Sequence, residues 1–154
     1  MPHPRDEIAA AVDRYLEIRS AAEEGRVGWD ALDEMFTDDA TFIDPAWGRV
    51  TGIENLREFW RESMQGLDDW RFPNEWVAID GDQVVLRWWN RLPGQRDDGT
   101  FYEAPGLSTL DYAGDGKFSY EEDLINMVHL MELIAESGYQ FPANGNPPPR
   151  NPPR

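Results

Sequence analysis

Residues 70–126 leave this chain few folds to choose from. "WRFPNEWVAID", "QVVLRWWNRL", "TFYEAPGLSTLDY" and "KFSYEEDLIN" are strand-length runs rich in aromatic and β-branched residues, separated only by "DGD", "PGQRDDG" and "AGDG". Connections that short join antiparallel neighbours, because a parallel crossover needs a dozen residues or more. Helical spacing flanks this meander on both sides. Ile8, Val12, Tyr15, Leu16 and Arg19 repeat on one face of residues 5–24, and Trp29, Leu32, Met35 and Phe36 form a second short set. Ile53, Leu56, Phe59, Trp60 and Met64 form a third stripe, behind a Thr51/Glu54 pair with capping-box spacing. Met127, Leu130, Met131 and Ile134 form a fourth, stopped by Gly138. Helices segregated beside an antiparallel sheet predict an α+β fold. A strongly curved sheet closed by helices makes a cone around a cavity, with inward strand positions as its lining.

The chain of 154 residues is sized for one domain, with no internal repeat. We place that domain at residues 1–140 and read 141–154, "FPANGNPPPRNPPR", as a disordered or polyproline-type tail. The tail carries one P-x-x-P pattern at Pro149–Pro152, which leaves a recruitment role as a minor reading. A formal charge of −16 repels phosphate backbones and anionic membrane surfaces, so nucleic acid and membrane are excluded as expected partners. With no cysteine there is no disulfide, thiolate metal site or cysteine nucleophile. No spaced ligand cluster suggests a metal, and nothing suggests a cofactor. His129 reads as a surface or packed histidine. The N-terminus lacks an apolar signal segment and no run approaches the roughly 20 apolar residues of a membrane span, so a cytoplasmic protein is expected. Seven Trp, seven Phe and five Tyr can fill a core and also wall a pocket for an apolar ring compound.

One acid breaks this pattern. In "FTDDATFIDP", Asp44 stands where the Ala40, Phe42 alternation calls for another inward residue, and Pro45 ends the run. Two readings stay open: a turn residue bonded to local backbone, or a carboxylate delivered to an apolar pocket where desolvation makes it a better base. "KFSYEEDLIN" raises the same choice, since Glu121, Asp123 and Ile125 share one strand face, either inward or as a solvated edge. On "QVVLRWWNRL" the uncharged set Val84, Leu86, Trp88 and Asn90 is assigned inward, giving an aromatic wall and a polar anchor. The other face, Val85, Arg87, Trp89 and Arg91, is apolar enough to suggest a homodimer through the sheet.

The phrases "RYL", "FTDDATFIDP", "GIENLREFW", "APGLSTLDYAGDGK" and "EEDLIN", in this order over about residues 5–137, resemble the nuclear transport factor 2-like superfamily. That superfamily includes ketosteroid isomerases, SnoaL-like polyketide cyclases and limonene epoxide hydrolases. The resemblance implies a cone-shaped α+β barrel and places Asp44 at the general base of the isomerases. It puts Tyr15 at their oxyanion-hole tyrosine and Trp60 at a supporting tyrosine. Leu107 fills the position of their protonated aspartic acid and cannot donate a hydrogen bond, so the two-donor steroid mechanism is incomplete. Asp123 matches a catalytic acid of the cyclases and epoxide hydrolases, but Arg87 followed by Trp89 lacks the aspartate that the limonene enzymes need. The expectation is a cofactor-free enzyme with Asp44 as base, Asp123 as proton partner and Tyr15 polarising a substrate oxygen. Trp47, Trp60, Trp88, Asn90, Leu107, Glu121 and Ile125 would line a pocket for an apolar carbonyl-bearing polycyclic or polyketide-like molecule, undergoing isomerisation or aldol cyclisation. The rival expectation is a non-catalytic binding or dimeric scaffold domain of the same fold.

Overall fold

A computed structural model describes residues 1–154. Helix α1 (Arg5–Glu23) leads through a 3₁₀ helix (Trp29–Met35) into β1 (Phe36–Asp44), β2 (Gly48–Thr51) and α2 (Ile53–Ser63). The meander follows as β3 (Asn74–Asp80), β4 (Gln83–Gln95), β5 (Phe101–Gly114) and β6 (Lys117–Ile125), and α3 (Met127–Ser137) ends the regular structure. The strands form one six-stranded sheet in the order β2-β1-β6-β5-β4-β3. All neighbours are antiparallel except β1 and β6, which pair in parallel with Phe42 beside Glu121. This long-range pairing joins the "FTDDATFIDP" strand to the "EEDLIN" strand and sets the positions of their acids.

The sheet is curved and does not close. Register shifts interrupt the pairings of β1 with β6, β3 with β4 and β5 with β6, and each such irregularity bends and twists a sheet locally. Inward positions strictly alternate on β4, where Val84, Leu86, Trp88, Asn90 and Leu92 are buried, as the sequence predicts. On the concave side Ile8, Val12 and Tyr15 of α1 and Leu56, Phe59 and Trp60 of α2 meet Phe36, Leu86 and Phe118 of the sheet in the main core. Trp70, Leu92 and Leu130 form a smaller cluster near α3.

The predicted capping box does not form. Thr51 is held in β2 opposite Thr41, and Gly52 sits at the helix boundary with φ 89° and no side-chain cap. The chain must turn from an edge strand straight into α2, and only glycine takes that backbone angle without strain. Helix α3 is capped instead by Asn126, whose Oδ1 accepts from the His129 backbone N–H at 3.1 Å, and it ends at the left-handed Gly138. Its buried residues are Leu130 and Leu133, whereas Met131 is 57% exposed, so the packed stripe is rotated from the expected one.

The convex face carries Trp76 at 45% and Leu124 at 51% exposure, with Leu107, Arg87 and Trp89 half-buried. Its arginines are matched: Arg87 to Glu75 at 2.8 Å and Arg91 to Glu103 at 2.6 Å. The Pro-rich end has no regular structure, yet it lies against the body rather than apart from it. Phe141 stacks on Trp70 with ring centroids 6.3 Å apart, and the Pro153 carbonyl accepts from the Arg49 backbone N–H at 2.9 Å.

Candidate active site

Asp44 is a turn residue that also faces the cavity. Pro45 breaks β1 immediately after it, and the turn aims the backbone N–H groups of Ala46 and Trp47 at Asp44 Oδ1, each at 2.8 Å. The same carboxyl lies on the wall of the concave cavity. Desolvation raises its pKa above the ordinary aspartate range, and the two N–H groups oppose that rise by holding the ionised form.

Strand β6 points Glu121, Asp123 and Ile125 into the same cavity, while Leu124 faces outward. Its partner strand shows where the sequence reading of Leu107 fails. Leu107 pairs with the outward Leu124 and stands on the convex face, and Ser108 pairs with Asp123. Burial on β5 falls on Ala104, Gly106, Ser108 and Leu110, so strand alternation assigns position 107 to the outside whatever its residue type. Leu107 does not line the cavity; Ser108 does.

Two hydrogen-bonded runs cross the cavity floor. Trp88 Nε1 donates to Ser108 Oγ at 2.9 Å, and Ser108 Oγ donates to Asp123 Oδ1 at 2.6 Å. Tyr15 donates its hydroxyl proton to Glu121 Oε1 at 2.8 Å, so that hydroxyl is engaged with an acid. Burial lifts the Asp123 pKa to about 6, helped by the nearby Asp44 charge and resisted by the Ser108 hydroxyl. Burial and the Asp123 charge push Glu121 well above its ordinary value. Tyr15 is likewise pushed well up, chiefly by burial and then by Glu121. Three carboxyls of unequal proton affinity therefore share one apolar space.

The cavity has a volume of about 600 Å³. Trp47, Trp60, Trp88 and Asn90 line it with the acids. Residues the sequence reading did not place in it are Arg19, Ser108, Trp70, Phe72 and the tail segment Gly145–Pro148. Arg19 carried a signal, a cation on the apolar stripe of α1; Ser108 was available by counting two from Gly106. The tail carried none. No group of three or more His, Cys, Asp or Glu side chains is placed to hold a metal ion, and no helix is long and apolar enough to cross a membrane.

Residues 7–121 match the sequence model of the SnoaL-like domain, well over half of the chain. The chain belongs to the SnoaL-like family. No curated protein matches it. Among solved structures, this SnoaL-like chain is similar to a protein of Jannaschia sp. CCS1 provisionally named a SnoaL-like polyketide cyclase, with a TM-score of 0.65 and 18% identity over 88% of this chain and 97% of that one. It is similar also to a ketosteroid isomerase-like protein of Catenulispora acidiphila DSM 44928 in complex with trimethylamine, with a TM-score of 0.60 and 21% identity over 86% and 97% of the two chains. A third is TerC co-crystallised with polyporic acid, with a TM-score of 0.60 and 19% identity over 81% and 98%. At these identities the likeness is one of fold. The SnoaL-like fold is thus common ground, and the chemistry rests on the residues of this cavity.

Proposed function

We propose that this SnoaL-like chain is a cofactor-free acid–base enzyme acting on an apolar, carbonyl-bearing polycyclic or polyketide-like molecule. The observation that carries the reading is the pairing of Asp44 and Asp123 in one apolar cavity, where burial raises both, Asp123 to about 6. The Asp44 carboxylate takes a proton from the carbon beside a substrate carbonyl, and the electron pair moves onto that carbonyl oxygen. The resulting enolate is either reprotonated at a different carbon, which is isomerisation, or attacks a second carbonyl carbon of the same molecule, which closes a ring. In the second case protonated Asp123 gives its proton to the new alkoxide, and solvent returns the proton from Asp44 to Asp123 after product leaves. Tyr15 fixes Glu121, and Trp47, Trp60 and Trp88 hold the flat rings. A positioned base of this kind contributes about a hundred- to ten-thousandfold. Structural neighbours hold small molecules, trimethylamine in one and polyporic acid in another, which supports a small-molecule ligand here.

The test is a thermal-shift panel of ketosteroids, hydroxyanthraquinones and small epoxides, followed by turnover assays on the binders. Asp44→Asn is expected to keep ligand affinity within a few-fold and to lower turnover by about two to four orders of magnitude. Binding without turnover in the wild type would replace this reading by a receptor or scaffold. The reading also includes a cytoplasmic homodimer joined through the convex sheet face, supported by the exposure of Trp76 and Leu124.

A further inference from the structure

The molecule has four buried side-chain polar atoms without a hydrogen-bond partner: Arg19 Nη1, Trp70 Nε1, Asn90 Oδ1 and Glu121 Oε2. All four belong to residues that line the cavity holding the three acids. Unpaired buried polar atoms are rare and costly, and four converging on one space mark positions that a bound molecule completes.

Arg19 is the charged donor among them. It is 8% exposed and packs between two rings, with its guanidinium 5.8 Å from the Tyr15 centroid and 5.6 Å from that of Trp88. Its one hydrogen bond is a long one, from Nη2 to the Phe72 carbonyl at 3.3 Å. Arg57, Arg87 and Arg91 each hold a carboxylate at 2.6–2.8 Å, but Arg19 has none within 4.0 Å. A buried cation with no carboxylate in contact is unfavourable; the Arg19 charge is felt by Glu121 and Asp123, whose proton affinity it lowers, but neither forms an ion pair with it.

The hydroxyl and indole donors beside the acids are already engaged. Tyr15 donates to Glu121, Trp88 to Ser108 and Ser108 to Asp123, and Leu107 faces the opposite side of the sheet. Two unpaired donors remain in the cavity lining, Trp70 Nε1 and Arg19 Nη1, and of these only Arg19 carries a charge. We propose that Arg19 is the oxyanion-binding residue of this cavity, so that the cavity takes flat apolar molecules through an oxygen that carries or develops negative charge. This rests on the same cavity as the proposed enolisation and supplies the group that receives the charge when Asp44 removes the proton. It also sets ligand class: an acidic oxygen on the rings favours binding, although the chain as a whole is strongly acidic.

The test compares 2-naphthoate with 2-naphthamide, equal in shape and different in charge, by calorimetric titration in 150 mM salt. The wild type is expected to bind the naphthoate at least tenfold more tightly. Arg19→Met is expected to abolish that preference and leave the naphthamide within threefold, with Arg19→Lys retaining part of it. Should Arg19→Met lose its circular-dichroism fold, Arg19→Gln, which keeps a donor and removes the charge, gives the same reading. Equal affinity for the two probes in the wild type, a preference that survives loss of Arg19, or binding of neither probe overturns the inference. Because no turnover is read, an anion preference in a protein that turns over nothing leaves this inference standing while the proposed activity falls.

Discussion

Asp123 is the residue on which protonation, stability and the proposed catalysis meet. Its pKa is about 6 in the folded chain, against an ordinary aspartate value near 4 when unfolded. The folded state therefore binds the proton more tightly, and its contribution to stability is present at low pH and is lost as pH rises from about 4 to about 6. At roughly 1.4 kcal/mol per unit the loss is at most about 3 kcal/mol, less where cavity water solvates the carboxylate. Asp123→Asn is expected to flatten this slope, read from urea midpoints at pH 4.5 and 8. If protonated Asp123 is the acid, kcat/KM falls above a limb near pH 6; a rate that rises through pH 6 would give that aspartate the opposite role. Gly106 has a different, purely spatial constraint. A Cβ there would lie 2.7 Å from carbons of the Trp88 ring, so the indole sits this close to β5 only because no side chain intervenes. Gly106→Ala is expected to cost about 1–3 kcal/mol, checked by urea unfolding, and to shift the tryptophan emission as Trp88 is displaced from Ser108.

At the level of elements, what could be read in the chain is what local periodicity controls. The alternation on β4 correctly separated Trp88 and Asn90 from Arg87 and Trp89, and that on β6 kept Glu121, Asp123 and Ile125 together. Leu107 was misplaced because a family position was followed where the two-residue period of β5 gives Ser108. Thr51 and Glu54 had the spacing of a cap, but Thr51 is engaged in pairing with β1, and a tertiary contact outweighs a local motif. The parallel pairing of β1 with β6 and the seating of the Pro-rich end are long-range and left no local pattern. Asn126, the residue that does cap a helix, gives a clean test. Asn126→Ala is expected to cost about 1 kcal/mol in denaturant unfolding, since it leaves the His129 N–H without its acceptor.

On the scale of the whole molecule, the convex face and the C-terminal end are the two surfaces whose removal can be measured separately. The proposed dimer predicts that Leu124→Asp, a charge at an outward position, shifts sedimentation from dimer to monomer without changing the far-ultraviolet spectrum. Residues Gly145–Pro148 supply part of the cavity wall, so a chain ending at residue 141 is expected to exchange an apolar naphthalene probe at least several-fold faster in stopped-flow fluorescence. The contact of Pro153 with Arg49 has a consequence of another kind. Strand β2 is an outer strand of the sheet, and an outer strand with free backbone groups is a template on which a second molecule can polymerise. Here the Arg49 N–H is occupied by the chain's own terminus, and Pro152 and Pro153, lacking N–H groups, cannot extend the ladder any further. On that side of the sheet the Arg49 N–H is therefore not open to a strand from a second molecule.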